Sequence, residues 1–572
     1  MQNERTKQVS RRRAAGAVAA LIGATGAAKA QSGGPPVVVT GPNFFEVTRF
    51  GAVPDGKTKS TEALQRAIDA CHGAGGGMVY IAPGVYLSGA LRLMSNVVLH
   101  VDAGAVIRGS HDLADYTLPP IEPGGKPRRA GLLSAEGAQN ITITGRGTID
   151  GNGPVFVNTA KTRMPADFDR KYTRQKEAYM DPAKDTDGPF ETTGRPGNLI
   201  RFTKCRNVHL SGVTIQNATS WTVHFIQCDD VSLSGVHINS YGTNLRMPND
   251  DGLDISGCRN MRVTGCVIRT SDDCIAVFDT EGLVVSDCIL ESRSSAVRIG
   301  YGAHATDGNI RDCVFTNLTI TGNRGICVNV RGPHSIDNVQ FSNVTIRTRL
   351  YTGHWWGNGE PIHLSAAAHR NTKALGRIRN VQFSGISAES PHGIVIYGSG
   401  ESVIGEVGFH NVRLTLTQDS LHESYGGNFD LREAADLREG IFEHDIPAVF
   451  ARHVKGLILD GLAVEWRGEL PPFFTHAVEV EHFRQLEITG FHGKQAPGTD
   501  KAVIALRNGE DVTIRDCRAE EGASTFLTHD RVTDQRLLAN CDLSKAKEAL
   551  NPPRSGFLLA GNRMPAAQRR PR

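Results

Sequence analysis

The sequence has few aromatic residues, little net charge and no long apolar run. Only 6% of its 572 residues are aromatic, and 63 Lys and Arg against 60 Asp and Glu leave a formal net charge of +3. So balanced a chain lacks the positive field that neutralises a run of phosphates, which argues against nucleic acid as a partner. No stretch reaches the roughly 20 strongly apolar residues of a membrane helix, so we expect no membrane span.

Metal-binding cysteine patterns are also missing. The chain has 11 cysteines but neither a CxxC pair nor a Cys/His zinc spacing. Six of them form a regular series at positions 258, 266, 274, 288, 313 and 327. We interpret these cysteines as small apolar residues stacked in a repeating interior. We expect no metal and no other cofactor.

The N-terminus is typical of an export signal. Three arginines at 11–13 precede an Ala/Gly-rich apolar stretch at 14–28, and an Ala-Lys-Ala triplet ends at Ala30. This order of basic, apolar and small residues predicts a signal peptide over residues 1–30. Paired arginines favour the twin-arginine type over an ordinary Sec signal. We therefore expect a periplasmic or secreted protein.

A short strand-and-turn pattern repeats along the chain, which is rich in glycine (63 residues). It is seen in Asn207-Val-His-Leu-Ser-Gly, Asp230-Val-Ser-Leu-Ser-Gly and Asn260-Met-Arg-Val-Thr-Gly, spaced by 23 and 30 residues. Alternation predicts strands, and a period in the twenties predicts a solenoid. Because the leucine consensus of leucine-rich repeats is absent, we predict an all-β fold, a right-handed parallel β-helix with stacked turn asparagines.

One solenoid replaces the three or four domains that the length suggests. We predict a single β-helix over 43–545, with a capping helix at Thr61–His72 and a flexible Pro/Arg-rich tail over 546–572. Three long interruptions should wall a groove, because long loops on a compact scaffold are usually functional. They are residues 153–197, 347–377 and 415–446.

Four aspartates form the main chemical motif. Asp250 and Asp251 lie 22 residues before Asp272 and Asp273, one repeat apart, so the pairs should stack on adjacent coils about 4.8 Å from each other. Carboxylates so close cannot all be ionised comfortably, and at least one pKa should be raised. Such a cluster can supply a general acid beside a general base.

At these residues the chain resembles glycoside hydrolase family 28, the polygalacturonases and rhamnogalacturonan hydrolases. The likeness extends from about residue 43 to 410 and includes its entry motifs. These motifs are Phe50-Gly-Ala-Val-Pro-Asp-Gly56, Gly75-Gly-Gly77, Pro83-Gly-Val-Tyr86 and Gly147-Thr-Ile-Asp-Gly-Asn-Gly153. The resemblance implies hydrolysis of a pectic or related acidic polysaccharide, with rhamnose or uronate residues.

The resemblance also implies catalytic roles. Asp272 protonates the leaving glycosidic oxygen, while Asp251 and Asp273 activate a water on the opposite face of the sugar. Inversion of this kind needs carboxyl groups about 6.5 to 9.5 Å apart. Asn249 and Asp250, which complete the first motif, are expected to bind substrate.

Two family motifs are altered. The family's Gly-His-Gly is replaced by Ser294-Ser-Ala296, which puts Ser295 in the place of the histidine, and its Arg-Ile-Lys by Cys327-Val-Asn329. Ordinary polygalacturonase specificity is therefore not implied.

Other residues are candidates for recognising the substrate. Arg298 and Arg324 follow the catalytic coils and could bind a substrate carboxylate through two hydrogen bonds. Trp355 and Trp356 offer faces for sugar stacking, and Glu360 adds a carboxylate.

Two other functions stay open, a Ca²⁺-dependent polysaccharide lyase and a non-catalytic glycan-binding β-helix. The long loops mildly favour exo action in a hydrolase.

Overall fold

Short parallel strands stack into three columns in the computed structural model, which describes residues 43–118, 128–164, 167–240, 246–301, 308–369, 372, 374–552 and 556–566. Thirty-nine strands are joined into one continuous sheet that winds as a β-helix, in agreement with the predicted fold. The predicted signal peptide lies outside the described residues. In the described part of the chain, no helix is long and apolar enough to cross a membrane.

The first column forms the floor of a groove and is called the groove sheet. Its strands are Leu91–Arg92, Leu133–Glu136, Ile200–Thr203, Val223–Ile226, Leu253–Ser256, Ile275–Phe278, Ser295–Ile299, Arg324–Val330, Ile362–Ala366 and Ile394–Tyr397. Each pairs in parallel with the next.

The second and third columns complete each coil. The second contains Phe44–Glu46, Gly77–Ile81, Val97–Val101, Gln139–Gly145, Arg206–Ser211, Asp229–Ser234, Arg259–Thr264 and Glu281–Ser286. The third contains Asp55–Lys59, Gly84–Ser88, Ala105–Gly109, Thr148–Asp150, Thr214–Gln216, His237–Asn239, Val267–Thr270 and Ile289–Ser292. Longer strands then continue the coils at Ile310–Gly322, Ile336–Thr348, Ile378–Ser390, Ile404–Thr417, Val449–Asp460, Val478–Thr489, Ile504–Arg515 and Ala523–Ala539. Short strands accompany them at Ala463–Arg467, His492–Gly493 and Arg518–Ala519.

Turn residues and interior rings explain why these sequences coil. Asn96, Asn140 and Asn207 adopt positive φ, which asparagine tolerates better than most residues. The side-chain amide of Asn140 donates to Asn96 Oδ1 at 2.8 Å, and that of Asn207 donates to Asn140 Oδ1 at 2.9 Å, which confirms the predicted ladder. Inside, phenylalanine rings stack from coil to coil, 4.8 to 5.1 Å apart, at 315, 341, 383 and 409. All 11 cysteines are buried and unpaired.

The two ends of the solenoid are closed differently. The predicted capping helix is present as Thr61–Gly73 and buries Leu64 and Ile68 against the first coils. The tail expected from residue 546 instead forms strands Ala546–Asn551 and Leu558–Ala560. Both pair with the strand Ala523–Ala539, because that last long strand leaves edges that further chain can satisfy.

The long interruptions assemble into a single cap, defined here as residues 153–197, 347–361 and 418–446 without the masked 165 and 166. It includes the antiparallel pairs Val157–Thr162 with Phe190–Thr192 and Asn428–Asp430 with Ile441–Glu443, and the short helix His422–Tyr425. A further antiparallel pair, Thr117–Leu118 with Arg128–Arg129, lies outside the cap. An apolar cluster from all three segments holds the cap together: Tyr179, Met180, Leu350, Tyr425 and Ile441.

Candidate active site

Three aspartates converge where the groove sheet meets the turns before its strands. Asp251 precedes strand Leu253–Ser256, and Asp272 and Asp273 precede the neighbouring strand Ile275–Phe278. One carboxylate oxygen from each lies within 4.8 Å of the others. This distance joins the nearest oxygen atoms, so the separation of the carboxyl groups expected for inversion stays a prediction. The oxygens come this close because Asp251 stacks directly on the coil that carries the adjacent pair.

Burial and mutual repulsion shift the pKa values of these groups. Burial and the charges of Asp254, Asp272 and Asp273 raise the pKa of Asp251 well above its usual value, against the opposing effect of Arg298. Burial and Asp273 raise the pKa of Asp272 to about 6. Asp272 is 6% exposed, compared with 2% for Asp251 and 0% for Asp273. The raised pKa expected for the cluster is confirmed, and its most accessible carboxyl group is Asp272.

Arg298 is the cation of this cluster. Its guanidinium contacts the carboxylate of Asp273 and lies 3.6 Å from Asp251 Oδ2. The rings of Phe278 and Tyr301 flank it, with centroids 5.5 and 4.9 Å away. Burial alone would lower the pKa of Arg298, but Asp273 and Asp251 outweigh it and raise that pKa. Arg298 therefore lies at the predicted site, where it pairs with catalytic candidates and orients them.

Asp250 supports the cluster from behind. It is fully buried, and its carboxylate accepts backbone N–H bonds from Ser271 and Asp272 at 2.9 to 3.2 Å. Burial, opposed by these bonds, raises its pKa to about 7. Because its oxygens are already bonded to the backbone, the expected contact with substrate is wrong, and Asp250 positions the turn that carries Asp272.

Ser295 and Asn249 also lie beside the aspartates. The backbone N–H of Ser295 donates to Asp273 Oδ1 at 3.1 Å, and its hydroxyl is buried. Asn249 adopts a positive φ of 58°, and its Oδ1 accepts hydrogen bonds from Arg163 and Arg195 at 3.1 Å each. Both residues therefore contact the site, Ser295 through its backbone N–H and Asn249 through its side-chain oxygen. The sequence did not indicate that these groups would make the contacts.

Arg324 and Glu360 are bonded to each other rather than open to the groove. Arg324 Nη2 lies 3.1 Å from Glu360 Oε1, and Arg324 Nε donates to Glu360 Oε2 at 3.3 Å. Arg324 Nη2 also donates to the carbonyl of Asp430 at 2.8 Å. Both side chains are at most 2% exposed, and their polar groups are occupied. The prediction that they bind substrate is corrected, because the cap covers them.

The two tryptophans have different environments. Trp355 is buried and its indole N–H donates to the carbonyl of Asp187 at 2.8 Å, so it packs the cap and the predicted stacking face is absent. Trp356 is partly exposed. Its ring meets Tyr301 edge-on at 6.3 Å, and the guanidinium of Arg432 lies 5.2 Å from its centroid. Trp356 therefore stays a candidate for sugar contact.

The cap closes the groove on one side of the aspartates. The next groove-sheet strands, Arg324–Val330, Ile362–Ala366 and Ile394–Tyr397, are buried at every residue. The cap segment around Asp430 lies across them, and the carbonyl of Leu431 accepts from Arg331 at 2.9 Å. On the other side, Val223–Ile226 is buried except at Ile226, and the following strand Ile200–Thr203 exposes Arg201 on its outer face. Among the described residues, the groove sheet is therefore covered on the C-terminal side of the aspartates, and its nearest exposed residue on the N-terminal side is Arg201.

Sequence reasoning missed Asp254. It occupies the outer face of the groove sheet in register with Ala276 and then Arg298, and neither carboxylate oxygen has a hydrogen-bond partner. Burial, opposed by Arg298, raises its pKa well above the usual value. The sequence pattern could have revealed Asp254, because side chains alternate along a strand and Asp254 is next to the inward-facing Ile255. Arg163 and Arg195 had no such signal, since only the folded cap brings them to Asn249.

A cation site is a further possibility for the three converging aspartates. They are the only such group of His, Cys, Asp or Glu residues in the ranges that the structure describes. Calcium takes six to eight oxygen ligands, whereas the guanidinium of Arg298 already contacts this cluster. The expectation of no metal remains a prediction.

Comparison with known families adds to this geometry. The model of the family described as glycosyl hydrolases family 28 matches residues 124–421, and one described as rhamnogalacturonase A/epimerase, pectate lyase-like, matches residues 44–113. The first match covers more than half of the chain and contains all three converging aspartates.

Individual relatives agree with the family match. A probable polygalacturonase of Vitis vinifera is 26% identical over 368 residues, which cover 60% of this chain and 68% of the relative. An exo-poly-alpha-D-galacturonosidase of Dickeya chrysanthemi is 29% identical over 259 residues, which cover 41% of this chain and 42% of the relative. The family 28 exopolygalacturonase of Yersinia enterocolitica superposes with a TM-score of 0.52 at 21% identity, covering 78% of each chain, and this likeness shows the fold.

Proposed function

The chain belongs to family 28 of the glycosyl hydrolases and is a glycoside hydrolase, and we propose that it hydrolyses a pectic, uronate-containing polysaccharide or oligosaccharide from one chain end with inversion. The observation that carries the proposal is the aspartate cluster, in which Asp272, the least buried of three buried carboxyl groups, has a pKa of about 6 and Asp273 is paired with Arg298. Family membership makes the lyase and the non-catalytic alternatives unnecessary. The names of the relatives support galacturonan as the first substrate to test.

Asp272 acts as the general acid. A pKa of about 6 keeps it protonated in mildly acidic solution, and it is the accessible carboxyl group of the cluster. It transfers its proton to the glycosidic oxygen as the bond from that oxygen to the anomeric carbon breaks. A positioned general acid typically contributes 10²- to 10⁴-fold to the rate.

Asp273 and Asp251 hold and activate the attacking water. Asp273 carries the negative charge that Arg298 balances, and Asp251 Oδ1 is a buried oxygen without a hydrogen-bond partner. A water between them attacks the anomeric carbon from the face opposite Asp272 and gives its proton to Asp273. The new bond then has the configuration opposite to that of the bond cleaved.

Exo action follows from the closed groove. Every residue of strand Arg324–Val330 is buried beneath the cap, whereas Arg201 is exposed on the N-terminal side. We therefore place the substrate along the N-terminal coils and expect only a short product beyond the aspartates. We expect release of one or two sugar units at each cleavage.

Product analysis tests this function. Wild type should release short products from galacturonan oligosaccharides from the first minutes, with a falling kcat/KM as the pH rises through about 6, because Asp272 then loses its proton. Early products of many lengths would contradict exo action, and NMR of the first-formed anomer tests inversion. Unsaturated products that absorb near-ultraviolet light, or no cleavage of galacturonan and rhamnogalacturonan, would overturn the proposed reaction.

Export is proposed from residues 1–30, which lie outside the described part of the chain. Their basic, apolar and Ala-Lys-Ala segments support it. Fractionation of cells that produce wild type and a variant with lysines at 11–13 tests the twin-arginine route. Loss of export in the variant is expected, and unchanged export would contradict this route.

A further inference from the structure

Two arginines of the cap are held side by side at the edge of the aspartate cluster. Arg163 Nη1 and Arg195 Nη2 each donate to the same oxygen, Asn249 Oδ1, at 3.1 Å. Their terminal nitrogens are therefore no farther apart than twice that distance. Arg195 also donates to the carbonyl of Pro248, so this guanidinium is fixed in place, whereas the side chain of Arg163 reaches Asn249 from an exposed position.

Neither guanidinium has a carboxylate partner among the described residues. Other basic side chains in and around the cap do have one, since Lys161 lies 3.7 Å from Glu191 and Arg174 lies 2.8 Å from Asp445. Burial and the neighbouring Arg163 lower the pKa of Arg195, and the more weakly acting charges of Asp250, Asp251 and Asp272 oppose this shift. Two like charges share one neutral amide oxygen, an arrangement that an incoming anion would stabilise.

The pair is adjacent to the catalytic groups. Asn249 directly precedes Asp250 and Asp251 in the sequence. The charge of Arg163 lowers the pKa of Asp272, against the larger effects of burial and Asp273 that raise it. The other predicted carboxylate binders are occupied, since Arg324 is bonded to Glu360 and Arg298 to Asp273. Arg163 and Arg195 are thus the arginines at this edge of the cluster that keep donors free.

We propose that Arg163 and Arg195 bind the carboxylate of a uronic acid residue of the substrate next to the scissile bond. The inference rests on the proposed hydrolase function and names the group that recognises its acidic substrate. Two guanidiniums provide planar, charged donors that match a carboxylate. The two arginines supply this contact from the cap. At the strand positions where the resemblance implies the basic residues of the Arg-Ile-Lys motif, this chain has Cys327 and Asn329 instead.

The test compares a charged substrate with a neutral one. Arg163→Gln and Arg195→Gln are measured on a galacturonate oligosaccharide and on its methyl ester, which lacks the carboxylate charge. On the free acid, each variant should raise KM about tenfold to a hundredfold, since hydrogen bonds to charged groups are among the stronger ones. On the methyl ester, the variants and wild type should differ by less than about threefold. Lys161→Gln is the matched control, because Lys161 is exposed and lies two positions before Arg163, on the cap strand Val157–Thr162. This variant should match wild type on both substrates.

A purely structural role would give a different result. If Arg163 and Arg195 only anchored the cap to Asn249, the variants would lose the same factor on both substrates, and the inference would be wrong. Arg195→Lys, which keeps the charge, should recover part of the KM on the free acid alone.

Binding separates this inference from the proposed function. Calorimetric titration of Asp272→Asn with the free acid and the methyl ester, with and without Arg163→Gln, measures the charge contact without turnover. Loss of the preference for the free acid in the double variant supports the inference, even if wild type cleaves neither substrate and the proposed function fails. An unchanged preference overturns the inference and leaves the proposed function standing.

Discussion

Two buried charge clusters lie close together in this protein and behave in opposite ways. In the catalytic cluster, burial and crowded aspartates raise the pKa of Asp250, Asp251 and Asp272, and Arg298 is the cation among them. In the second cluster, formed by Arg324, Glu360, Asp430, Arg432, Asp167 and His354 and called the cap cluster, the arginines more than offset burial. They hold the pKa of Glu360 well below its usual value and lower that of Asp430.

The difference comes from the balance of charges, because the carboxylates of both clusters are buried. Arg432 contacts Asp430 at 2.9 Å, and its Nη1 lies 2.8 Å from His354 Nε2, while Arg324 contacts Glu360. Two guanidiniums serve the three carboxylates of the cap cluster, and the pKa values of Glu360, Asp430 and Asp167 are all lowered. The cap cluster therefore holds its segments in place, and its carboxyl groups have no proton to give at neutral pH. The catalytic cluster has too few cations, so it retains protons that can be transferred.

Removing the general acid should have the largest effect. Asp272→Asn should lower kcat by about 10²- to 10⁴-fold and leave the melting temperature almost unchanged, because the variant removes charge repulsion. The measurement is initial rates on galacturonan oligosaccharides. Asp287→Asn is the matched control, since this exposed turn aspartate accepts from Asn317 at 3.1 Å in the ladder and should keep wild-type activity. Substantial activity in Asp272→Asn would contradict the assigned role.

Breaking the cap cluster should cost stability. Glu360→Gln leaves the buried Arg324 with only the more distant Asp430, at 3.7 Å, as a charge partner, and the loss of one member of a buried pair typically costs about 3–5 kcal/mol. Chemical denaturation measures the free energy of unfolding. Because the pKa of Glu360 is lowered in the folded state, its stabilisation is present above about pH 4.5 and is lost as the pH falls, so the variant should lose most at neutral pH. A cost below 1 kcal/mol would show that the cap is held by its apolar contacts alone.

Asp250 should give the opposite pH dependence. Its pKa rises from 3.8 to about 7 on folding, so the folded state binds its proton more tightly and stability falls as the pH rises from about 4 to 7. The full effect is at most roughly 4 kcal/mol, at about 1.4 kcal/mol per pKa unit. Asp250→Asn should flatten this fall in melting temperature between pH 4 and 8. Wild type and variant curves that run parallel would contradict the raised pKa.

A surface ion pair provides the smallest expected effect. Arg484 Nε lies 2.7 Å from Glu510 Oε2 on the exposed side of the C-terminal coils, and exposed pairs typically contribute about 0–1 kcal/mol. Glu510→Gln should therefore leave the free energy of unfolding nearly unchanged at any pH. If Glu510→Gln lowered the free energy of unfolding as much as Glu360→Gln does, burial would not explain why the Arg324–Glu360 pair stabilises the protein more than the Arg484–Glu510 pair.

The sequence predicted the repeating architecture and the centre of the site. Alternation and turn asparagines recur locally, so strands, ladder and the stacking of Asp251 with Asp273 follow from counting along the chain. The same counting misassigned Arg324 and Glu360 as substrate-binding residues. In the sequence, an arginine that is open to the groove cannot be told from one that a distant loop covers. Asp254 could have been found, since alternation around Ile255 gives its outward direction.

By itself, the sequence determined the coil period, the register and the pair of aspartates on adjacent coils, because these depend on neighbours within about 30 residues. Only the tertiary structure decided which charges have partners. Three segments far apart in the chain fold into one cap, which pairs Arg324 with Glu360, closes the groove beyond Arg298 and brings Arg163 and Arg195 to Asn249. The charge balance around a buried group depends on contacts between distant segments, and these are formed only when the chain folds.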